Sequence, residues 1–377
     1  MPAKARKAIV DPKSPGYYLV NQRVVRGLRL TGIEPATGQD YTYRQLKLEQ
    51  RVRDLAGLYL IEVAEFSCGA DGFELLVRTR PDLLSTLSDE EIVRRMLRRT
   101  EKRLELKPPP SDEAVSNIVA DPKRLSKLRQ RIVNLSQFMG DIDEAMARDV
   151  NRESGGAQRD VALGRLWQGR FNSVRVLDPP ALLLAATYVE SKKVIDGEAT
   201  TLEEAACCST ALRGAAIATR EEQVSGESRG SPTIEQSDGA SEPGANQSGA
   251  KSARARDAWL LPMSGDNSAA ADSASRPEFE TDGYLRIEYG AFGKLLRWTL
   301  EQAKVPPETR AKRVSDELLP LFSRFQLRVD VWVEAVLNFR RWFRTAIGLG
   351  DALKSCADRL GVAWLAGQGR RRHPFTA

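Results

Sequence analysis

The chain has 377 residues, 41% of them hydrophobic and 29% charged, enough for two domains with real cores. Its 57 Lys and Arg against 51 Asp and Glu give a formal net charge of +6, which permits a polyanionic partner without demanding one. His373 is the single histidine, so a site built on two histidines is excluded, and no apolar run approaches the roughly 18 residues of a membrane span.

The four cysteines, Cys68, Cys207, Cys208 and Cys356, have no paired spacing, and no charged-then-apolar leader opens the chain. Both features predict a reducing, cytoplasmic setting. Residues 1–30 hold seven basic side chains and one acidic one, and residues 1–16 read as a flexible basic arm. Tyr17 to Leu30 alternates polar and apolar positions as a first strand. Thr31 to Asp40 is a loop, and Tyr43 to Leu58 has apolar residues near helical spacing. Leu58 to Phe66 is a second strand, Gly69 to Gly72 a tight turn and Phe73 to Arg78 a third strand, so the pair predicts a β-hairpin. Strand, helix, strand, strand opens a ferredoxin-like split β-α-β unit. The shape of the hairpin taken alone favours a core element and nothing more.

Ser88 is an N-cap before Asp89, Glu90 and Glu91. The helix that follows puts Ile92, Val93, Met96 and Leu97 on one side. Arg94, Arg95, Arg98, Arg99, Lys102 and Arg103 form a basic stripe on the other, either a solvated face or a phosphate-contacting one. After Pro108 to Pro110 a long helical pattern runs from Pro122 to Asn151. In the segment from Gly164 to Phe171, Trp167 and Phe171 stand among Arg165 and Arg170. That arrangement suits base stacking and backbone tracking, or two core anchors a helical turn apart. Asn172 to Leu177 is a short strand, and Asp178-Pro179-Pro180 starts a helix carrying Tyr188. Residues 221–282 have a linker's composition, interrupted by Trp259 to Met263, which reads as a segment docking back on a folded domain. Residues 283–377 form a second, helical domain.

The hairpin, the segment Gly164 to Phe171 and the helix of Tyr188 together resemble HUH-type single-tyrosine transposases, the REP-associated branch and its longer bacterial relatives. In that family the hairpin's second strand carries two metal-binding histidines around one aromatic residue, then an aliphatic run and an arginine. Set on this pattern without gaps, Gly72 takes the first histidine's place and Phe73 the aromatic residue's. Glu74 takes the second histidine's place, and Leu75 to Arg78 form the tail. Gly164 to Phe171 resembles the family's Trp-x-x-Arg-Phe segment. Tyr188-Val189 matches the start of the nucleophile helix, with Lys192 where the family has asparagine. Trp364 to Gly367 resembles a C-terminal Trp-Leu-x-Gly.

The resemblance implies an α+β domain over residues 17–220, with a ferredoxin-like antiparallel sheet of about four strands and helices on one face. A low-complexity linker and a small helical C-terminal domain follow it. It implies a tyrosine nucleophile at Tyr188 forming a 5′-phosphotyrosine link, with Glu74 and Lys192 beside it. Without its histidines the site has too few ligands, so no metal and no cofactor are expected. Mg²⁺ or Mn²⁺ would be needed only if the chain cuts DNA, as phosphoryl charge and a tyrosine of ordinary pKa near 10 require. Three readings follow: a catalytically degenerate protein binding single-stranded or hairpin DNA, an active metal-dependent transposase or nuclease, and a structural or protein-interaction relict. DNA is the partner the resemblance implies, a membrane is not, and a second copy of the chain stays open.

Overall fold

The computed structural model describes residues 9–25, 28–101, 107–154, 165–227, 257–263, 283–363, 365, 374 and 375. The basic arm up to residue 8, Lys102, Arg103, most of the linker, Trp364 and the Arg370 to His373 tail lie outside the described residues. The chain opens with β1 (Gly16–Arg23), α1 (Tyr43–Leu58), β2 (Ile61–Gly69) and β3 (Gly72–Thr79). It continues through α2 (Asp89–Arg98), α3 (Asp112–Val119), α4 (Pro122–Ile132), α5 (Leu135–Ser154) and β4 (Asn172–Val176). Then come α6 (Pro179–Ile195), α7 (Ser209–Glu227), α8 (Tyr289–Ala303), α9 (Leu319–Arg324), α10 (Val329–Leu337), α11 (Phe339–Trp342), β5 (Ala346–Ile347) and α12 (Gly350–Arg359).

The fold is α+β, built on a five-stranded sheet ordered β2-β3-β1-β4-β5. β1 pairs antiparallel with both β3 and β4, and β2 with β3. β5 adds to β4 in parallel, which makes the sheet mixed rather than purely antiparallel. The expected hairpin is present. The first strand ends at Arg23 instead of running to Leu30, because the chain then wraps the hairpin turn: Val24 N–H donates to Asp71 O at 3.0 Å and Leu30 N–H to Ala70 O at 2.6 Å.

Helices cover both faces of the sheet, not one. Alternation along the strands sends Tyr18, Val20, Phe73, Leu75 and Val77 into a core shared with α1 and α5. Leu19, Leu76 and Val174 go into the opposite core with α6. In α6 nearly every residue from Pro180 to Ser191 is buried. A helix that is apolar all round needs cover on every side. The sheet lies on one side of α6, and α8 and α10 lie on the other.

That cover corrects the expected C-terminal unit. Leu295, Leu296, Phe322, Trp332, Val336 and Phe339 share one apolar core with α6, and β5 extends the sheet, so this part packs as one layer of the α+β body. The segment Trp259 to Met263 does dock back: Leu261 N–H donates to Val63 O at 2.7 Å, and Trp259 packs edge-on against Phe66. The long pattern from Pro122 is two helices, broken at Val133 and Asn134, where the Asn134 side chain caps α5 by accepting from Ser136 and Gln137 N–H. Asn338 separates α10 from α11, and its side chain donates back to Glu334 O and Glu334 Oε2. No helix among the described residues is long and apolar enough to cross a membrane.

Candidate functional site

Glu74 lies two residues before Leu76 on β3, so alternation points it at the α6 face. Tyr188 lies in the middle of α6, which Asp178 starts by accepting from Ala181 N–H at 3.0 Å. The two meet: Tyr188 Oη donates to Glu74 Oε1 at 3.2 Å. Phe339 stacks on the Tyr188 ring, centroids 4.8 Å apart and planes 19° from parallel. Its neighbour Arg340 brings Nη1 to 3.9 Å from Glu74 Oε1. Both side chains of the pair are buried, and Glu74 Oε2 has no hydrogen-bond partner.

Burial pushes the Glu74 carboxyl above the usual carboxylate range, against the pull of Arg340 and Lys192. Burial also pushes the Tyr188 hydroxyl far up, and the neighbouring Glu74 charge pushes the same way. A phenol held protonated under an aromatic ring is a poor nucleophile. Lys192, one turn on, forms its ion pair with Asp196 rather than with Glu74, and desolvation lowers its pKa.

A raised carboxyl pKa stabilises the fold fully below the unfolded value, near 4.5, and this contribution is lost as pH rises through the folded value. Glu74→Gln is therefore expected to gain stability relative to wild type as pH climbs above the unfolded value. Thermal melts across that range check it; parallel curves for the two proteins would contradict it.

A cleft of about 320 Å³, counting its open mouth, runs beside this pair and is lined by Asn21, Arg23, Gly72, Glu74, Lys192 and Glu198 among others. Gly72 has φ +154, and a Cβ built there would lie 2.0 Å from Gln22 O, so the first histidine's position admits no side chain. The metal that the resemblance would bring does not fit these residues. At the two positions that the resemblance gives to histidine, the one donor is the Glu74 carboxylate, with a guanidinium against it. Among the described residues no group of three or more His, Cys, Asp or Glu could hold a metal ion.

The residues expected to contact nucleic acid separate into three groups. In the α2 stripe, Arg94 pairs with Asp112 at 2.5 Å, Arg95 with Glu91 at 2.6 Å and Arg98 with Glu101 at 3.3 Å. Arg99 donates to Met96 O and approaches Asp141. Much of the stripe's charge is thus met by acids of the chain. Trp167 and Phe171 are core anchors, which corrects the stacking alternative. Trp167 is 7% exposed, donates its indole N–H to Asp143 O at 2.8 Å and packs edge-on to Phe73. Arg165 and Arg170 are exposed. Their segment is tied to the end of β1 through Gln168 N–H on Arg23 O, which puts both arginines at the sheet end where Arg23 lines the cleft.

Arg340 and Phe339 were not anticipated as site residues. No spacing signal marks them, because the C-terminal layer alone brings them over Tyr188. Comparison of the chain with protein-family models, curated proteins and solved structures gives no match.

Proposed function

We propose that the chain is a DNA-binding protein related to HUH-type single-tyrosine transposases. It works in the cytoplasm, binds single-stranded or hairpin DNA at the Glu74–Tyr188 end of the sheet, and does not cut it. The observation that carries this reading is the 3.2 Å contact between Tyr188 and Glu74. The transposase pattern assigns these distant positions to the nucleophile helix and the metal strand, and nothing else in the sequence asks them to meet. The strand order, read from the other edge as β4-β1-β3-β2, further supports a ferredoxin-like unit. The loss of cutting is supported by the closed position of Gly72, the single carboxylate at Glu74 and the buried Tyr188 hydroxyl. Arg23, Arg165, Arg170 and Arg340 are the cations available for backbone phosphates at this end.

One observation favours the relict reading instead: three arginines of the α2 stripe are ion-paired within the chain. Fluorescence anisotropy with a tailed DNA hairpin at graded salt separates the two. Salt-sensitive binding is expected, weakened by about 1–3 kcal/mol in Arg165→Ala/Arg170→Ala. Tyr188→Phe is expected to leave affinity unchanged, and Mg²⁺ or Mn²⁺ to yield no cleaved product. Absence of binding at low salt would establish the relict; metal-dependent cleavage lost in Tyr188→Phe would establish the enzyme.

A further inference from the structure

The helices between the hairpin and α5 form a unit with its own small core. α2, α3 and α4 pack on one another around Val93, Val115 and Ile118. Only Ala120 and Asp121 join α3 to α4, and Asp121 caps α4 by accepting from the N–H groups of Lys123 and Arg124. The sequence of α4, PKRLSKLRQRI, holds five cations and no acid. Two of them are taken up inside the chain, Arg129 by Asp89 and Arg131 by Asp141. Lys123, Arg124 and Lys127 are exposed, and so are Ser126 and Gln130 on the same helix. No ion pair among the described residues engages the three exposed cations.

We propose, resting on the DNA-binding reading above, that this face of α4 docks on the double-stranded stem of a DNA hairpin, while the cleft end of the sheet takes the single-stranded part. A helix of about 10–12 Å diameter fits a major groove about 12 Å wide. Residues at i, i+1 and i+4 put their charges on one side of it. Arg, Lys, Ser and Gln are the side-chain types that bond phosphates and base edges. A merely solvated basic face is usually interleaved with acids, as α2 is with Glu91 partnering Arg95. α4 has none, and a two-residue connection plus a private core hold it rigid, as a helix entering a groove requires.

The test uses the full chain, the variant Lys123→Ala/Arg124→Ala/Lys127→Ala, and three probes: a single-stranded oligonucleotide, a blunt duplex and a tailed hairpin. The variant is expected to lose roughly tenfold or more in duplex and hairpin affinity, and its log–log salt slope to fall by about 0.9 for each phosphate contact removed. Single-strand affinity is expected to stay unchanged. Arg124→Glu alone should give a loss of the same sign. A triple variant that binds duplex and hairpin like wild type overturns the role of α4. A wild-type protein that binds duplex but not single strands overturns the cleft reading and leaves α4 standing.

Discussion

Replacing Arg213 with methionine is expected to cost about 3–5 kcal/mol of stability. Arg213 on α7 is 6% exposed and reaches the interior of the fold. Its Nη1 donates to both oxygens of Glu65, at 3.1 and 3.0 Å. Its Nη2 donates to Ala64 O at 2.7 Å and Leu261 O at 2.8 Å. Tyr284 also donates its hydroxyl to Glu65. Glu65 and Glu190 are both fully buried. Burial, and then the Glu65 charge, push the Glu190 carboxyl far up. Without Arg213 the Glu65 charge has no cation, and the segment of Leu261 loses a donor that ties it to β2. The melting temperature is expected to fall by roughly 4–8 °C. Arg213→Met with Glu65→Met should recover a large part of the loss, because a buried ion pair replaced on both sides is often nearly neutral. A single variant within about 1 kcal/mol of wild type would refute this account.

Placing histidines at positions 72 and 74 is expected to unfold the site rather than to create a metal centre. At Gly72 any side chain meets two penalties. The backbone φ of +154 is a conformation that L residues rarely adopt, and a Cβ would come within 2.0 Å of Gln22 O and 3.0 Å of Arg23 Cα. Both obstacles are backbone of β1, paired with β3 at these positions and tied on the other edge where Arg23 O accepts from Gln168 N–H, so neither can swing away. Strain and overpacking together make Gly72→Ala cost about 3–4 kcal/mol. Gly197→Ala isolates the first effect, since Gly197 has φ +74 and nothing within 4 Å of the added methyl; it should cost only about 1 kcal/mol. In Gly72→His/Glu74→His the expected result is a lowered melting temperature and no micromolar Mn²⁺ binding by calorimetry. Tight binding by a stable double variant would show that the strand can reopen.

The elements themselves were legible in the sequence wherever a local rule governed them. An apolar run of strand length marked β2, period-two alternation marked β3, helical spacing marked α1, and Ser88 and Asp178 marked their helix starts, because strand faces and caps are set by neighbours a few residues away. The pairing of Glu74 with Tyr188 was legible only through resemblance, since no local rule links positions on a strand and a helix so far apart. The break at Asn134 was missed because apolar spacing ran through it, while its side chain accepts from the first backbone N–H groups of the helix that follows.

Tertiary structure alone decided the rest. Trp167 and Phe171 could stack on bases or fill a core, and packing against Phe73 and α5 chose the core. The stripe of α2 could meet phosphate, yet Glu91, Glu101 and Asp112 fold against its arginines. Cys68 and Cys207 carry no paired spacing, but Cys68 N–H bonds Cys207 O across a bridge between Ser67 and Cys208. Phe339 and Arg340 come to Tyr188 because α6, apolar on every side, has to be covered, and the C-terminal helices supply the cover. Composition and periodicity determine which side chains must leave water; which of them meet is settled by long-range packing, where burial rewards any apolar partner and sequence distance leaves no mark.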